Sequence, residues 1–432
     1  MSPEFIGVIA IVGLFVLLLL RVPVGVSLLL VGFFGFWQLL DLDVALAQLG
    51  MSAFGTASNY GLSVMPMFIL MGMFLSYSGL AKDFSKQTIG AGKTAGLAWA
   101  TIGASAIFSS ISGSVNATTA TLAKVAIPEM KSYKYHPGLA SACVAAGGTL
   151  GVLIPPSVIL ILYGILTMEP VGELLIAGVV PGLLLTITFM AVVYIQVKRK
   201  PELAPSTDHE VSWKEKFLSL SEIWPFAIIF LISMGGIYMG FFTPTEAGGV
   251  GAISALVVAL LTRKLNFKKL LESVDETLRL TAMIFLILIG AGLFSQFLAM
   301  SQIPAAATSF VTGLDVSPFV IIAILLVVYF LLGLFLEGIA ILVLTLPIVY
   351  PIVTGLGFDG VWFGIIMVMV FNMGVITPPL GISVFVINGV VRDIPVQTIF
   401  RGVVPMLIAM VIFTAVLVMF PQIVLTLPNL MQ

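Results

Sequence analysis

The sequence predicts an all-α polytopic membrane protein with about ten spans, two re-entrant hairpins and two broken helices. Three observations predict it. The 432 residues are 60% hydrophobic and 9% charged, with a mean hydropathy of +1.19, whereas soluble domains carry about 25% charged residues. Two Pro-Pro dipeptides, Pro155–Pro156 and Pro378–Pro379, stand inside long apolar runs, where proline removes a backbone donor and clashes with the preceding turn. All 19 Lys and Arg collect on one side of a single topology.

A span needs about 20 mostly apolar residues. Ten stretches qualify: 4–20, 24–40, 62–80, 139–166, 172–197, 223–241, 246–262, 280–300, 361–390 and 402–426. The first lacks a basic flank and a small-residue cleavage site, so it reads as a retained span and not as a signal peptide. The stretches 95–127 and 318–350 are interrupted near their middles by SSISGSVNATT (109–119) and GLFLEGIA (333–340). A segment broken in this way enters the membrane, turns and leaves by the same side.

Charge tests that count. Basic residues favour cytoplasmic loops. With both termini outside and both hairpins returning to their own side, every Lys and Arg falls inside. The outer loops 41–61, 167–171, 301–317 and 351–360 and the C-terminus then hold none. Were either hairpin to cross fully, the later loops would flip and carry basic residues outside. Cys143 is the one cysteine, so no intrachain disulfide forms, and it reads as a small packing residue.

The halves repeat. GVLIPPS (151–157) matches GVITPPL (374–380), AGVVPG (177–182) matches RGVVPM (401–406), and Pro23 aligns with Pro244. The two Pro-Pro spans run in opposite directions under this topology, which makes the repeat inverted. Secondary transporters share this organisation, with substrate and ion sites on broken helices at the repeat interface. Breaking a helix frees carbonyls, tolerated at membrane depth only where they are buried or line a wet cavity. Helix C-termini favour cations and N-termini favour anions.

These features, taken in order, resemble the large membrane subunit of TRAP (tripartite ATP-independent periplasmic) transporters. The carrying stretches are FSSISGSVNATTATLAKVAIPEM (108–130), GVLIPPS (151–157), FTPTEAGGVGA (242–252) and NMGVITPPLGISVFVING (372–389), and the likeness spans essentially the whole chain. The resemblance implies an elevator-type fold and sodium-coupled import of an organic acid in a bacterial inner membrane. It also implies two partners, a small four-helix membrane subunit and a periplasmic substrate-binding protein. Na+ is the coupling ion and no other cofactor is implied.

Site residues follow from the same source. A first sodium site would combine Ser110, Ser112 and Asn116 at the first hairpin tip with Gly151, Ile154 and Pro156 of the facing broken span. The repeat places a second site at Gly333, Gly338, Gly374, Thr377 and Pro379. Substrate would meet Ser114, Asn116, Thr118, Glu337 and Thr377, since no Arg lies within a span to pair a carboxylate. The tip's hydroxyls have a plainer reading, as small residues for helix packing. Glu337, acidic within an apolar segment, is a functional candidate by default. It either contacts an ion or proton or caps the second helix of its hairpin. Glu246, three residues after Thr243, has capping-box spacing. His136 and His209 read as solvated.

Residues 95–200 and 302–432 would form a moving transport domain, with 1–94 and 201–301 as the scaffold. Within the scaffold, the stretch holding Trp213, Phe217 and Leu220, and a second at 266–279, read as helices lying on the membrane surface. The competing function is a stand-alone carboxylate carrier driven by protons or exchange, which Glu337 would serve. An enzyme is disfavoured, because membrane catalytic sites need clustered His, Asp or Glu, and Glu337 stands alone in the sequence pattern.

Overall fold

The computed structural model describes residues 2–78, 96–112, 115–205 and 224–430. These residues are helical, with no strand among them. The first helices are α1 (Pro3–Leu19), α2 (Val24–Leu39), α3 (Leu42–Ser58) and α4 (Val64–Ser78). A hairpin follows, α5 (Gly96–Ser112) and α6 (Val115–Ser132). The first broken span is α7 (Pro137–Thr149) and α8 (Val158–Thr167), and α9 (Val171–Ala177) leads into α10 (Val179–Arg199). Next come α11 (Trp224–Tyr238), α12 (Pro244–Leu261), α13 (Phe267–Met300) and α14 (Ile303–Thr312). The second hairpin is α15 (Pro318–Gly333) and α16 (Gly338–Gly355), and the second broken span is α17 (Gly360–Gly374) and α18 (Ile382–Val390). The chain closes with α19 (Val396–Met419) and α20 (Gln422–Asn429).

Among the described residues six helices are long and apolar enough to cross a membrane, α4 with its preceding turn, α9–α10, α12, α13, α16 and α19. The other expected spans are shorter apolar pieces. Two of them are short because each Pro-Pro dipeptide splits one span into two helices. Both peptide bonds, Pro155–Pro156 and Pro378–Pro379, are cis.

Local chemistry fixes the starts of the helices. Asp41 accepts the Val44 N–H at 2.8 Å ahead of α3, and Asn266 accepts the Lys269 N–H at 2.9 Å ahead of α13. The expected capping box at α12 is present. The Glu246 N–H donates to Thr243 Oγ1 at 3.3 Å, and the Thr243 N–H donates to Glu246 Oε2 at 2.8 Å, which pairs two otherwise orphaned donors.

Three expectations are corrected. The stretch 41–61, expected as an outer loop, holds helix α3, and 301–317, likewise expected as a loop, holds α14. Asp41, Asp43, Gln48 and Asn59 dilute the hydropathy of 41–61 below that of a span, but they do not prevent helix formation. The stretch 266–279 is not a separate surface helix. It is the first part of α13, a continuous helix of 34 residues. At 1.5 Å per residue that helix is about 50 Å long, well beyond the ~30 Å hydrocarbon core, so one element serves as both span and extension. The stretch with Trp213, Phe217 and Leu220, together with His209 and Ser114, lies outside the described residues.

Packing divides the helices into two groups. In one, α2 lies against α13, α4 wedges against α12 and α13, and α1, α3 and α11 flank them. In the other, α7 packs against α5, α6 and α19, while α17 packs against α15, α16 and α19. The halves interleave within this second group: α18 packs on α6 of the first hairpin, and α8 packs on α16 of the second. Asn372 Nδ2 donates to the Thr149 carbonyl at 2.8 Å across a separation of 223 residues, the offset between GVLIPPS and GVITPPL. The two broken spans therefore cross at equivalent residues of the repeat.

Candidate functional site

Each hairpin tip meets the break in its own broken span. Gly333, the last residue of α15, lies so close to Gly374, the last of α17, that a Cβ on Gly374 would stand 2.2 Å from the Gly333 carbonyl carbon. Only glycine permits this approach. In the first half Ser109 takes the place of Gly333. A Cβ on Gly151 would lie 3.0 Å from Ser109 Cβ, and Ser109 Oγ donates to the Gly147 carbonyl at 3.3 Å. Tip and break thus share one depth, the geometry of a re-entrant hairpin.

After α7 the chain makes one tight turn, Leu150–Val152, and continues through a turn at Leu153 and bends at 154–156 to Ser157, whose Oγ accepts the Leu160 N–H at 3.4 Å to start α8. Gly151, Ile154 and Pro156 are all buried in this break. After α17 the chain turns through Gly381, whose φ of +47° lies in the left-handed region. Thr377 Oγ1 donates to the Met373 carbonyl at 2.6 Å, so its proton is committed while its lone pairs remain. The breaks are not equivalent in burial: Pro155 and Pro156 are buried, whereas Pro378 and Pro379 are exposed. Gly333 and Gly374 come together, Gly333 and Gly338 both pack on Phe371, and neither Thr377 nor Pro379 lines the cavity that Pro156 lines.

That cavity, of about 320 Å3, lies between the two helix groups. Phe68, Gly72 and Ser76 of α4 and Glu276, Leu280 and Met283 of α13 form one wall. Asn116 of α6, Pro156 and Ile159 of the first broken span, Glu337 and Gly338 at the second hairpin tip, and Asn372 form the other. Glu337 stands at the N-cap position of α16, but its side chain makes no capping bond, and the residue lines the cavity. No Lys or Arg lines this space among the described residues.

Oxygens without donors mark a second feature. Asn116 Oδ1, Thr119 Oγ1 and Ser383 Oγ are buried with no hydrogen-bond partner among the described residues. Asn116 and Thr119 are three residues apart on one face of α6, and Ser383 lies on α18, which packs against α6. A buried polar atom without a partner carries a desolvation penalty of about 1–3 kcal/mol. Neutral oxygens of this kind suit a hard cation; of the residues expected at the first site, Asn116 is among them, whereas Thr119 and Ser383 were not expected there. The backbones of Ser110 and Ser112 end α5, while their side chains lie outside the described residues. Thr118 is buried in α6 beside them.

Several residues here were not picked out by the sequence pattern: Glu276, Ser76, Asn372 and Ser383. For Glu276 a signal existed. Glu276, Leu280, Met283 and Ile284 follow i, i+4, i+7, i+8 spacing, one helical face continuing into the span. Dividing the segment at residue 279 hid it. His136, expected to be solvated, is exposed and also starts α7, its Nδ1 accepting the Gly138 N–H at 3.1 Å. Cys143 is fully buried in α7.

Comparison with known proteins places this architecture. Residues 11–423 match the family model described as the tripartite ATP-independent periplasmic transporter, DctM component. The chain is 36% identical to the C4-dicarboxylate TRAP transporter large permease protein DctM of Pseudomonas aeruginosa, over 88% of this chain and 89% of that one. It is 32% identical to the sialic acid TRAP transporter large permease protein SiaM of Vibrio cholerae, over 96% of each. Among solved structures, the YdaH transporter of Alcanivorax borkumensis superposes with a TM-score of 0.64 at 15% identity, covering 88% and 89% of the two chains; that likeness concerns the fold.

Proposed function

The chain belongs to the DctM component family of tripartite ATP-independent periplasmic transporters, and on that premise we propose that it imports an organic acid, coupled to sodium, by an elevator motion. It is a multi-pass membrane transporter and not an enzyme. The cavity between the two helix groups supports the reading. One wall belongs to α4 and α13, and the other to the hairpin tips and broken spans of both halves. Sliding the second group against the first would carry a bound solute across without reshaping its contacts. Residues 95–200 and 302–432 are the moving part in this proposal, in an inner membrane with both termini periplasmic.

Cation coupling follows from charge. A carboxylate substrate entering this cavity meets Glu276 and Glu337 and no Lys or Arg among the described lining residues. Like charges in a low-dielectric space are costly, so an anion needs a cation bound with it. The unpartnered oxygens on α6 and α18 supply ligands of the right kind. In the proposed assembly a small membrane subunit braces the first helix group, and a periplasmic binding protein delivers the acid. The relatives' substrates, C4-dicarboxylates and sialic acid, define the range to test.

The experiment is uptake of radiolabelled organic acids into proteoliposomes holding this chain with its small partner. The binding protein is added outside, with and without an inward sodium gradient. Uptake requiring both sodium and the binding protein is the expected result. A second reading, a stand-alone carrier driven by protons, draws on the carboxylates of Glu337 and Glu276. Proton-driven uptake without the binding protein, abolished in Glu337→Gln, would replace the first reading with the second.

A further inference from the structure

We propose that a basic cleft at the start of α7, between the end of α10 and the start of α19, binds the phosphate of an anionic membrane lipid. The cleft is about 480 Å3 and shares no lining residue with the transport cavity. Arg199 and Lys200 reach it from α10, Arg401 from α19, and His136 from the turn before α7. Among the described residues no Asp or Glu lines it, and none of the three cations has an acidic partner. Three uncompensated cations around one concavity make a site for an anion.

Gln196 adds an independent pointer. Its Nε2 is buried at the cleft and has no acceptor among the described residues. An amide donor left without an acceptor is costly to bury, and a phosphate oxygen would satisfy it. The floor is held rigidly. A Cβ on Gly402 would lie 2.1 Å from the Gly138 carbonyl oxygen, so α19 and the start of α7 touch backbone to backbone. The His136 N–H donates to the Leu203 carbonyl at 2.9 Å, which ties the segment after α10 to the same corner.

The geometry favours a lipid over a soluble phosphate. Ile187, Tyr194 and Ile195 on α10, and Ile408, Val411 and Ile412 on α19, are exposed apolar side chains on the two helices that flank the cleft. They offer lanes for acyl chains leading away from a headgroup, which a free ion would not use. Basic pockets between membrane helices bind acidic headgroups in this manner. The cleft lies wholly on helices of the second packing group, so a lipid held there bears on that group alone.

The test uses the full chain purified in a neutral detergent. Phosphatidylglycerol or phosphatidylcholine is titrated in while thermal unfolding and native mass spectra are recorded. Phosphatidylglycerol should bind and raise the unfolding temperature, and phosphatidylcholine should not. Arg199→Gln and Arg401→Gln should each weaken binding by about 5-fold. Arg199→Lys/Arg401→Lys should retain binding, and Arg263→Gln/Lys268→Gln, remote from the cleft, should leave it unchanged. If the neutralised variants do not fold, Gln196→Met should still weaken binding several-fold in a folded protein. Equal stabilisation by phosphatidylcholine, or unaltered binding in the neutralised variants, would overturn the proposal. An equal shift with inorganic phosphate alone would overturn its assignment to a lipid.

Discussion

Gly374→Ala tests the contact on which the second half of the site is built. The added Cβ would lie 2.2 Å from the Gly333 carbonyl carbon and 2.3 Å from its oxygen, whereas ordinary contact begins at 3.4 Å. Both obstructing atoms are backbone, so no side-chain rotation relieves the clash. The tip of α15 and the end of α17 must separate by about 1 Å, and overpacking of this kind costs about 1–3 kcal/mol. A shift of that size far exceeds the ~0.2 Å tolerance of metal–ligand distances. The sodium concentration for half-maximal uptake should therefore rise at least 10-fold, with a lower unfolding temperature. Gly292→Ala is the control, because its Cβ would meet nothing within 4 Å and alanine is a better helix former than glycine. Wild-type sodium dependence and stability in Gly374→Ala would refute the idea that tip and break form one ion-binding unit.

Asn372→Leu leaves the buried Thr149 carbonyl without its 2.8 Å donor; it should cost about 1–3 kcal/mol in denaturant or thermal unfolding, and a neutral effect would show that the crossing does not depend on this bond. Glu276→Gln removes one negative charge from the cavity wall, so the KM for a carboxylate substrate should fall several-fold in uptake assays at neutral pH, while an unchanged KM would place Glu276 outside the substrate's field. Asp393 pairs with Lys131, whose hydrogen bond holds the Asp393 carboxyl below its ordinary value. A lowered folded pKa means the pair's stabilising effect is present above the unfolded value near 3.9 and is lost as pH falls through the folded one. Lys131→Gln should therefore differ from wild type in thermal unfolding at pH 6–8 and converge with it below about pH 3. The pair is exposed, so the difference at neutral pH should be small.

Much of this architecture is legible because lipid imposes severe rules. Long apolar runs and paired prolines at a fixed offset report where the helices run, where they break and how the halves repeat. Both hairpins and both breaks lie where those rules put them. Helix α3 is hidden because hydropathy averages over Asp41, Asp43 and Asn59, whereas helix formation depends on a cap and on the absence of breakers. Glu276 is hidden because a helix longer than the bilayer was divided at its charged end. The polar first hairpin tip is legible, yet the unpartnered hydroxyl of Ser383 comes from a helix beyond the second break. The partnership between α18 and α6 belongs to the three-dimensional crossing of the halves, which no local pattern records. The Gly333–Gly374 contact is only half legible, since glycine in sequence does not tell close approach from flexibility.

The interleaving of the halves also sets a schedule. The first hairpin ends at Ser132, and its partner α18 starts at Ile382, 250 residues later (382 − 132). At about 5–20 residues per second, a polar tip already in the membrane waits roughly 12–50 s for the helix that packs on it. The reciprocal pair, α8 and α16, closes sooner, 171 residues apart (338 − 167). Neither crossing between the halves can close before the second half is made, so the contacts between the halves form last. Biogenesis of this fold therefore depends on the membrane insertion machinery holding an unfinished polar hairpin in place until the second half arrives.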